Sequence, residues 1–274
     1  MATAHDEGAR YTFESIPVKT SPWETGEMKL KLMQWNLDQH GGVKRFRMRG
    51  KFDPANATAF LRAFFESKSV RASVPFPSTV PSTLDDLSFR KLKTNVLSME
   101  FFNKLEASPA IVSSGGVLRR CMDEVYDDCT VNDSLRDMVV NPLSDHAGFF
   151  SASEQDEAIF QVFKRLVIGG AMAQHDETLQ PYLNMTKLVY KALVSVQKKS
   201  TTDDAKAPTP LAVMSHVYLL HTPGSNDGHN NQDVSKSTRQ LFPKPDSPYN
   251  ACFVSIDPHN FTVLCWYAPF VPFW

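Results

Sequence analysis

Cysteine is scarce in this chain of 274 residues. The four thiols, Cys121, Cys129, Cys252 and Cys265, form no C-x-x-C pair, so the pattern points to reduced thiols in an intracellular compartment rather than a disulfide framework. No apolar run reaches the roughly 20 residues of a membrane-spanning helix. The longest candidate, Phe261 to Trp274, is interrupted by Pro269 and Pro272 and reads as a buried strand followed by an apolar tail. The opening MATAHDEGAR is polar and lacks the apolar stretch of a secretory leader, so the N-x-S/T sequons at Asn56, Asn132, Asn184 and Asn260 are expected to be chance matches. An excess of one charge is also missing. Lys and Arg number 29 against 30 Asp and Glu, which gives no general attraction to nucleic acid or to an anionic membrane.

Apolar residues make up 42% of the chain and charged residues 22%, a composition able to bury a substantial core without metals or disulfides. The strongest pattern lies between Ser153 and Lys198. Ser153 and Asp156 resemble a capping box, and Ile159, Phe163, Leu166 and Val167 follow at helical spacing. After Gly169-Gly170, Pro181 opens a second helix carrying Leu183, Leu188, Tyr190, Leu193 and Val194.

Elsewhere, Tyr11 to Val18 alternates as a short strand, and Glu27 to Leu37 places Leu30, Met33 and Leu37 on a helical stripe. Val43 to Phe52 sets Phe46 and Met48 on one side of a strand and Arg45, Arg47 and Arg49 on the other. Asp53-Pro54 caps a helix with the aromatic stripe Phe60, Leu61, Phe64 and Phe65. Val74 to Ser82 is a Pro-rich loop, Met99 to Leu105 a short helix, and Ser134 to Val140 a helix stopped before Pro142. Val117 to Tyr126 fits either a strand or a helix. Leu211 to Leu220 is a strand candidate, and Cys252 to Ile256 with Thr262 to Tyr267 form a hairpin around Asp257-Pro258-His259-Asn260.

With helices in the middle and strands at both ends, the expected class is α+β. The expected architecture is one domain over residues 1–274, in which a central helical block packs on a mostly antiparallel sheet made by the N- and C-terminal strands. Residues 1–9 are expected to be flexible, and residues 198–210 and 222–248 to be polar loops.

Each candidate for chemistry meets a plainer reading. Gly169-Gly170 lacks the Lys-Ser/Thr of a phosphate loop and follows a helix, which leaves a helix break or a close backbone approach. The loop His221 to Asp233 misses the register of a calcium loop and the ligand spacing of zinc, so a solvated loop is expected. His175-Asp176 has no nucleophile motif to serve and reads as an exposed turn. The doublets Asp85-Asp86, Asp123-Glu124 and Asp127-Asp128 read as solvated surface. The tail from Pro269 to Trp274 is expected to fold back on the domain. No catalytic, metal or cofactor-binding residue emerges.

Lys44, Arg45, Arg47, Arg49 and Lys51 form the best binding candidate, a basic segment suited to an acidic protein partner. Its plainer reading is a charged edge strand that resists aggregation. Nothing in it interleaves aromatics for base stacking, so neither nucleic acid nor membrane is expected as a partner.

The segments LMQW (Leu32 to Trp35), AFF (Ala63 to Phe65), LSMEFFNKL (Leu97 to Leu105), FKRLVIGGAMAQ (Phe163 to Gln174) and PYLNMTKLVYKALVSV (Pro181 to Val196) resemble the cilia- and flagella-associated protein 300 family, with a weaker echo in Val254 to Leu264. The loop from Thr222 to Pro248 and the PFVPFW tail depart from that family. The resemblance implies a non-enzymatic protein of the cytoplasm and motile cilium or axoneme. It would act in assembly or transport of outer and inner dynein arms, with dynein subunits, dynein assembly factors and the intraflagellar transport machinery as partners, and it supplies no catalytic residues. An enzyme or nucleotide-binding regulator with a hidden cleft, and a structural component of the axoneme, stay open as alternatives.

Overall fold

A computed structural model describes residues 10–17, 22–198, 211–220 and 236–272. Among these the chain forms, in order, β1 (Thr12–Ile16), α1 (Gly26–Gln34), β2 (Gly42–Arg49), α2 (Ala57–Glu66), α3 (Lys68–Ser73), β3 (Phe89–Lys91) and α4 (Asn103–Glu106). The middle supplies β4 (Arg120–Tyr126), β5 (Cys129–Asp133), α5 (Ser134–Val140), α6 (Ala152–Gln155), α7 (Ala158–Ile168) and α8 (Gln180–Leu193). The last third adds β6 (Val196–Lys198), β7 (Leu211–Val213), β8 (His216–Leu220), α9 (Lys236–Gln240), β9 (Ala251–Asp257) and β10 (Thr262–Ala268).

Strands from both ends of the chain build one six-stranded sheet in the order β1-β2-β10-β9-β8-β3. Every neighbouring pair is antiparallel, and the class is α+β as expected. The centre of the sheet is covered on both faces, so β9 and β10 read as nearly unbroken apolar runs. Period-two alternation then sorts their side chains between two cores. Cys252, Val254, Ile256, Val263, Cys265 and Tyr267 meet the aromatic stripe of α2, whose Phe60, Leu61, Phe64 and Phe65 are all fully buried. Phe253, Leu264 and Trp266 face the other way, into a core filled by α5, α7 and α8. Ten of the eleven residues of α7 are buried, as befits a helix enclosed all round. Beside the main sheet, β4 pairs with β5 and β6 with β7 as separate hairpins.

Several expectations change. On α1 the side chains turned inward are Met28 and, just beyond its end, Trp35 and Leu37, whereas Leu30 and Met33 are 57% and 60% exposed. Of the stripe read from spacing, Leu37 is buried and Leu30 and Met33 face outward, while Thr25 caps the helix by accepting from the Met28 amide at 3.3 Å. The capping box is Ser151 with Glu154 rather than Ser153 with Asp156. Leu211 to Leu220 divides in two: Met214 and Ser215 turn to bond Ser195, and β7 then pairs with β6 while β8 joins the main sheet. Val117 to Tyr126 resolves as strand, with β4 starting at Arg120. The basic strand β2 is not an edge, since β1 and β10 flank it.

The tail folds back at least as far as Phe270, which is fully buried and donates its amide to Asn250 Oδ1 at 2.9 Å. The aromatic pair Phe273-Trp274 and residues 1–9, 199–210 and 221–235 lie outside the described residues, whereas the described end of the expected 222–248 polar loop carries α9 and the buried Leu241 and Phe242, a correction to that reading.

Candidate functional site

The end of α7 fixes the geometry of a polar interior region. Gly169 has φ +64° and ψ −163°, a region that L side chains rarely adopt. Its carbonyl accepts from Arg165 Nη1 at 2.5 Å. Arg165 is buried and, among the described residues, has no carboxylate partner; its guanidinium also donates to the carbonyls of Ala268 and Pro269, tying the glycine turn to the end of β10. Gly170 then donates its amide to the Trp35 carbonyl at 2.8 Å, and Gln174 donates to the Gln34 carbonyl at 2.7 Å. Residues 170–176 are thereby laid along the C-terminal end of α1. No phosphate cradle forms: both parts of the plainer reading, helix break and close backbone approach, hold at once.

This path brings His175 and Asp176 inward, correcting their reading as an exposed turn. Asp176 accepts from Lys31 Nζ at 2.7 and 2.9 Å and from the Trp35 indole Nε1 at 2.9 Å. Tyr182 stacks on Trp35 with ring centroids 4.8 Å apart and planes 12° apart. The Tyr182 hydroxyl accepts from the Asp176 amide at 3.0 Å and faces Arg136 Nη1 at 3.4 Å. Arg136 forms an ion pair with Asp133 in which both side chains are almost wholly enclosed, and its Nη2 donates to Asn132 Oδ1 at 2.6 Å. Asp133 is at the same time the N-cap of α5, accepting from the Arg136 amide at 2.9 Å.

Asn132, Asp133, Arg136, His175 and Asp176 help wall a cavity of about 210 Å³, at whose lining Arg120 and Glu177 meet as a solvent-exposed ion pair at 2.7 Å. Among the described residues, two buried polar atoms of these side chains, Arg136 Nε and His175 Nδ1, lack hydrogen-bond partners and are closed to water. Burial, reinforced by the Arg136 charge, lowers the His175 pKa to about 3, so the ring is neutral at physiological pH. Burial raises the Asp133 carboxyl in spite of Arg136 beside it. The lining holds no Ser, Thr or Cys, and an imidazole so depressed is a poor proton acceptor at neutral pH. Among the described residues no three His, Cys, Asp or Glu side chains gather as a metal site.

Of the basic segment, the structure keeps three residues together. Arg45, Arg47 and Arg49 alternate onto the sheet face opposite Phe46 and Met48, with Arg47 and Arg49 exposed and Arg45 half-buried. Arg47 stands in register between Glu14 of β1 and Thr262 of β10. Lys44 alternates to the other face, opposite Cys265, and Lys51 lies beyond the end of the strand. Asp127 and Asp128, at φ +46° and +69°, form the turn of the β4–β5 hairpin, and Asp128 pairs with Lys244. The loop from His221 to Asp233 lies outside the described residues.

Sequence reasoning passed over Arg136, Asp133 and Tyr182. The signal available was a cap residue, Asp133, followed three positions later by a charge inside the short apolar helix SLRDMVV. Three of the segments that carry the family resemblance converge here: Trp35 from LMQW, the glycine pair from FKRLVIGGAMAQ, and Tyr182 from PYLNMTKLVYKALVSV.

Comparison with known proteins gives the same direction. A protein of Chlamydomonas reinhardtii described as "Cilia- and flagella-associated protein 300" is 32% identical over 184 residues, which cover 67% of this chain and 65% of that protein. A Paramecium tetraurelia protein of the same description is 30% identical over 174 residues, 63% of this chain and 68% of that protein. The match to the Chlamydomonas protein therefore spans a little under two thirds of its length. No solved structure matches. The family described as Cilia- and flagella-associated protein 300 matches residues 10–268, and this chain belongs to that family.

Proposed function

We propose that this chain is a non-enzymatic factor of cilia and flagella that assembles or transports the outer and inner dynein arms of the axoneme, moving between cytoplasm and motile cilium. It would act as one domain, with dynein subunits, dynein assembly factors and the intraflagellar transport machinery as its partners. The observation that carries the reading is family membership over residues 10–268. It is supported by the outward arginine row of β2, which pairs with β1 on one side and β10 on the other. A cationic row on a rigid sheet presents fixed charge to an acidic partner without first ordering a loop.

The test is removal of the protein from a flagellated cell, followed by electron tomography of the axonemes and measurement of beating. Loss of outer and inner arms together with slowed or absent beating is expected. Intact arms with normal beating would sink the proposal.

A further inference from the structure

We propose that the groove between α8 and residues 97–106 is a docking site for an amphipathic helix of a partner protein, with acidic side chains on one flank of its apolar stripe and basic side chains on the other. The groove holds about 510 Å³. Gln180, Asn184, Lys187 and Lys191 line one wall, at spacings of four, three and four that set them on a single face of α8. Glu100, Asn103 and Glu106 line the other, three apart along the turns that end in α4. From Gln180 to Lys191 is eleven steps along α8, so the groove runs for about 16 Å, three helical turns.

The chemistry of the lining selects the occupant. Ile159, Leu183 and Tyr190 are buried beneath the groove, and Leu97, also in its lining, is 42% exposed. Lys187 and Lys191 stand exposed on the α8 wall, and Glu100 and Glu106 stand exposed on the wall facing it. Among the described residues none of these four side chains forms an ion pair. The walls therefore carry opposite charge without neutralising each other. An occupant that fits must turn apolar groups inward, acidic groups toward α8 and basic groups toward residues 97–106. A helix does all three at once and satisfies its own backbone. An extended peptide would bring a row of N–H and C=O groups along each edge, and walls made of helices offer no strand edge to pair with them. Three turns of helix present about three apolar anchors at the one-per-turn spacing of groove-bound helices.

The probes are three fluorescein-labelled helical peptides of about 16 residues, enough to span the groove. All carry one Leu stripe. One has Glu on one flank and Lys on the other, one has Glu on both, and one has Lys on both. Fluorescence anisotropy with the full chain should show saturable binding of the mixed peptide, at least about fivefold tighter than either uniform one. Lys187→Glu with Lys191→Glu makes both walls acidic, so preference should pass to the peptide with Lys on both flanks. A reversal of that kind cannot come from misfolding. Leu97→Ser, at an exposed position, is the second variant and should weaken the mixed peptide about fivefold. No saturable binding of the mixed peptide up to about 200 μM, equal binding of all three peptides, an unchanged preference in the folded double variant, or undiminished binding by Leu97→Ser would each overturn the proposal. Sedimentation velocity adds one more outcome: self-association of the unaltered chain that the double variant abolishes would assign the groove to a second copy and overturn it as well.

Discussion

Gly170 rests directly on the backbone of Asn36: a Cβ built on Gly170 would lie 2.2 Å from the Asn36 carbonyl oxygen. The contact fastens the turn after α7 to the end of α1, with the Gly170 amide donating to Trp35 next door. It also sets where His175, Asp176 and Tyr182 meet Trp35 and Arg136, because only five residues lie between Gly170 and Asp176.

Gly170→Ala should therefore cost more than about 2 kcal/mol, since the obstructing atom is backbone and has no rotamer through which to yield. Gly26→Ala is the control. Gly26 begins α1 with open space around its Cα, so that change should be neutral or stabilising by up to about 1 kcal/mol. Urea unfolding of the two variants measures the difference, and equal midpoints would remove the strain argument.

How far the fold could be read from sequence follows from how local each signal was. The β9–β10 hairpin, the stripe of α2 and the α7–α8 pair were legible because pattern and turn chemistry lie within a few residues of each other. The basic strand was legible as a strand but not as an interior one. Its place depends on pairing with β10, more than 200 positions away in the chain, and no short-range signal reports such a partner. The polar cavity was invisible for the same reason. Arg136, His175 and Trp35 are ordinary in their own segments and acquire meaning only where three distant segments meet.

The reversed face of α1 offers a direct check. Met28 is fully buried and Met33 is 60% exposed. Met28→Ala should destabilise by about 2–5 kcal/mol, the usual range for emptying a core position, whereas Met33→Gln should stay within about 0.5 kcal/mol. Denaturant midpoints in the opposite order would restore the stripe of Leu30 and Met33 as the buried one.

His175 should make the fold acid-sensitive. Its folded pKa of about 3 lies below the ordinary 6.5, so the unfolded chain takes up the proton first. Stability is then complete above pH 6.5 and declines as pH falls towards 3. At pH 5 the loss from this one group is about 2 kcal/mol relative to pH 7. Asp133 acts in the opposite sense, because its raised carboxyl gains a proton in the folded state first. The comparison is therefore made between the unaltered protein and His175→Phe rather than on one curve. Unfolding free energies at pH 7, 6 and 5 should fall less steeply in the variant by about that amount, and parallel curves would show that the ring is not buried neutral.

The arginine row carries the last prediction. Replacing Arg45, Arg47 and Arg49 with Glu changes the charge of one sheet face while leaving Phe46 and Met48 in the core beneath it. The local cost is small. Arg47 stands opposite Glu14, and a like-charged pair at that register is unfavourable by about 0.2–1 kcal/mol. Circular dichroism and the unfolding midpoint should therefore change little. Capture of dynein arm subunits or assembly factors from flagellate cytoplasm should drop, and the capture by the unaltered protein should weaken with added salt, because exposed charges are screened beyond about 10 Å at 0.1 M ionic strength. Undiminished capture by the folded triple variant would move the partner surface elsewhere. The reversal then separates this face from the groove beside α8, whose lining contains none of the three arginines.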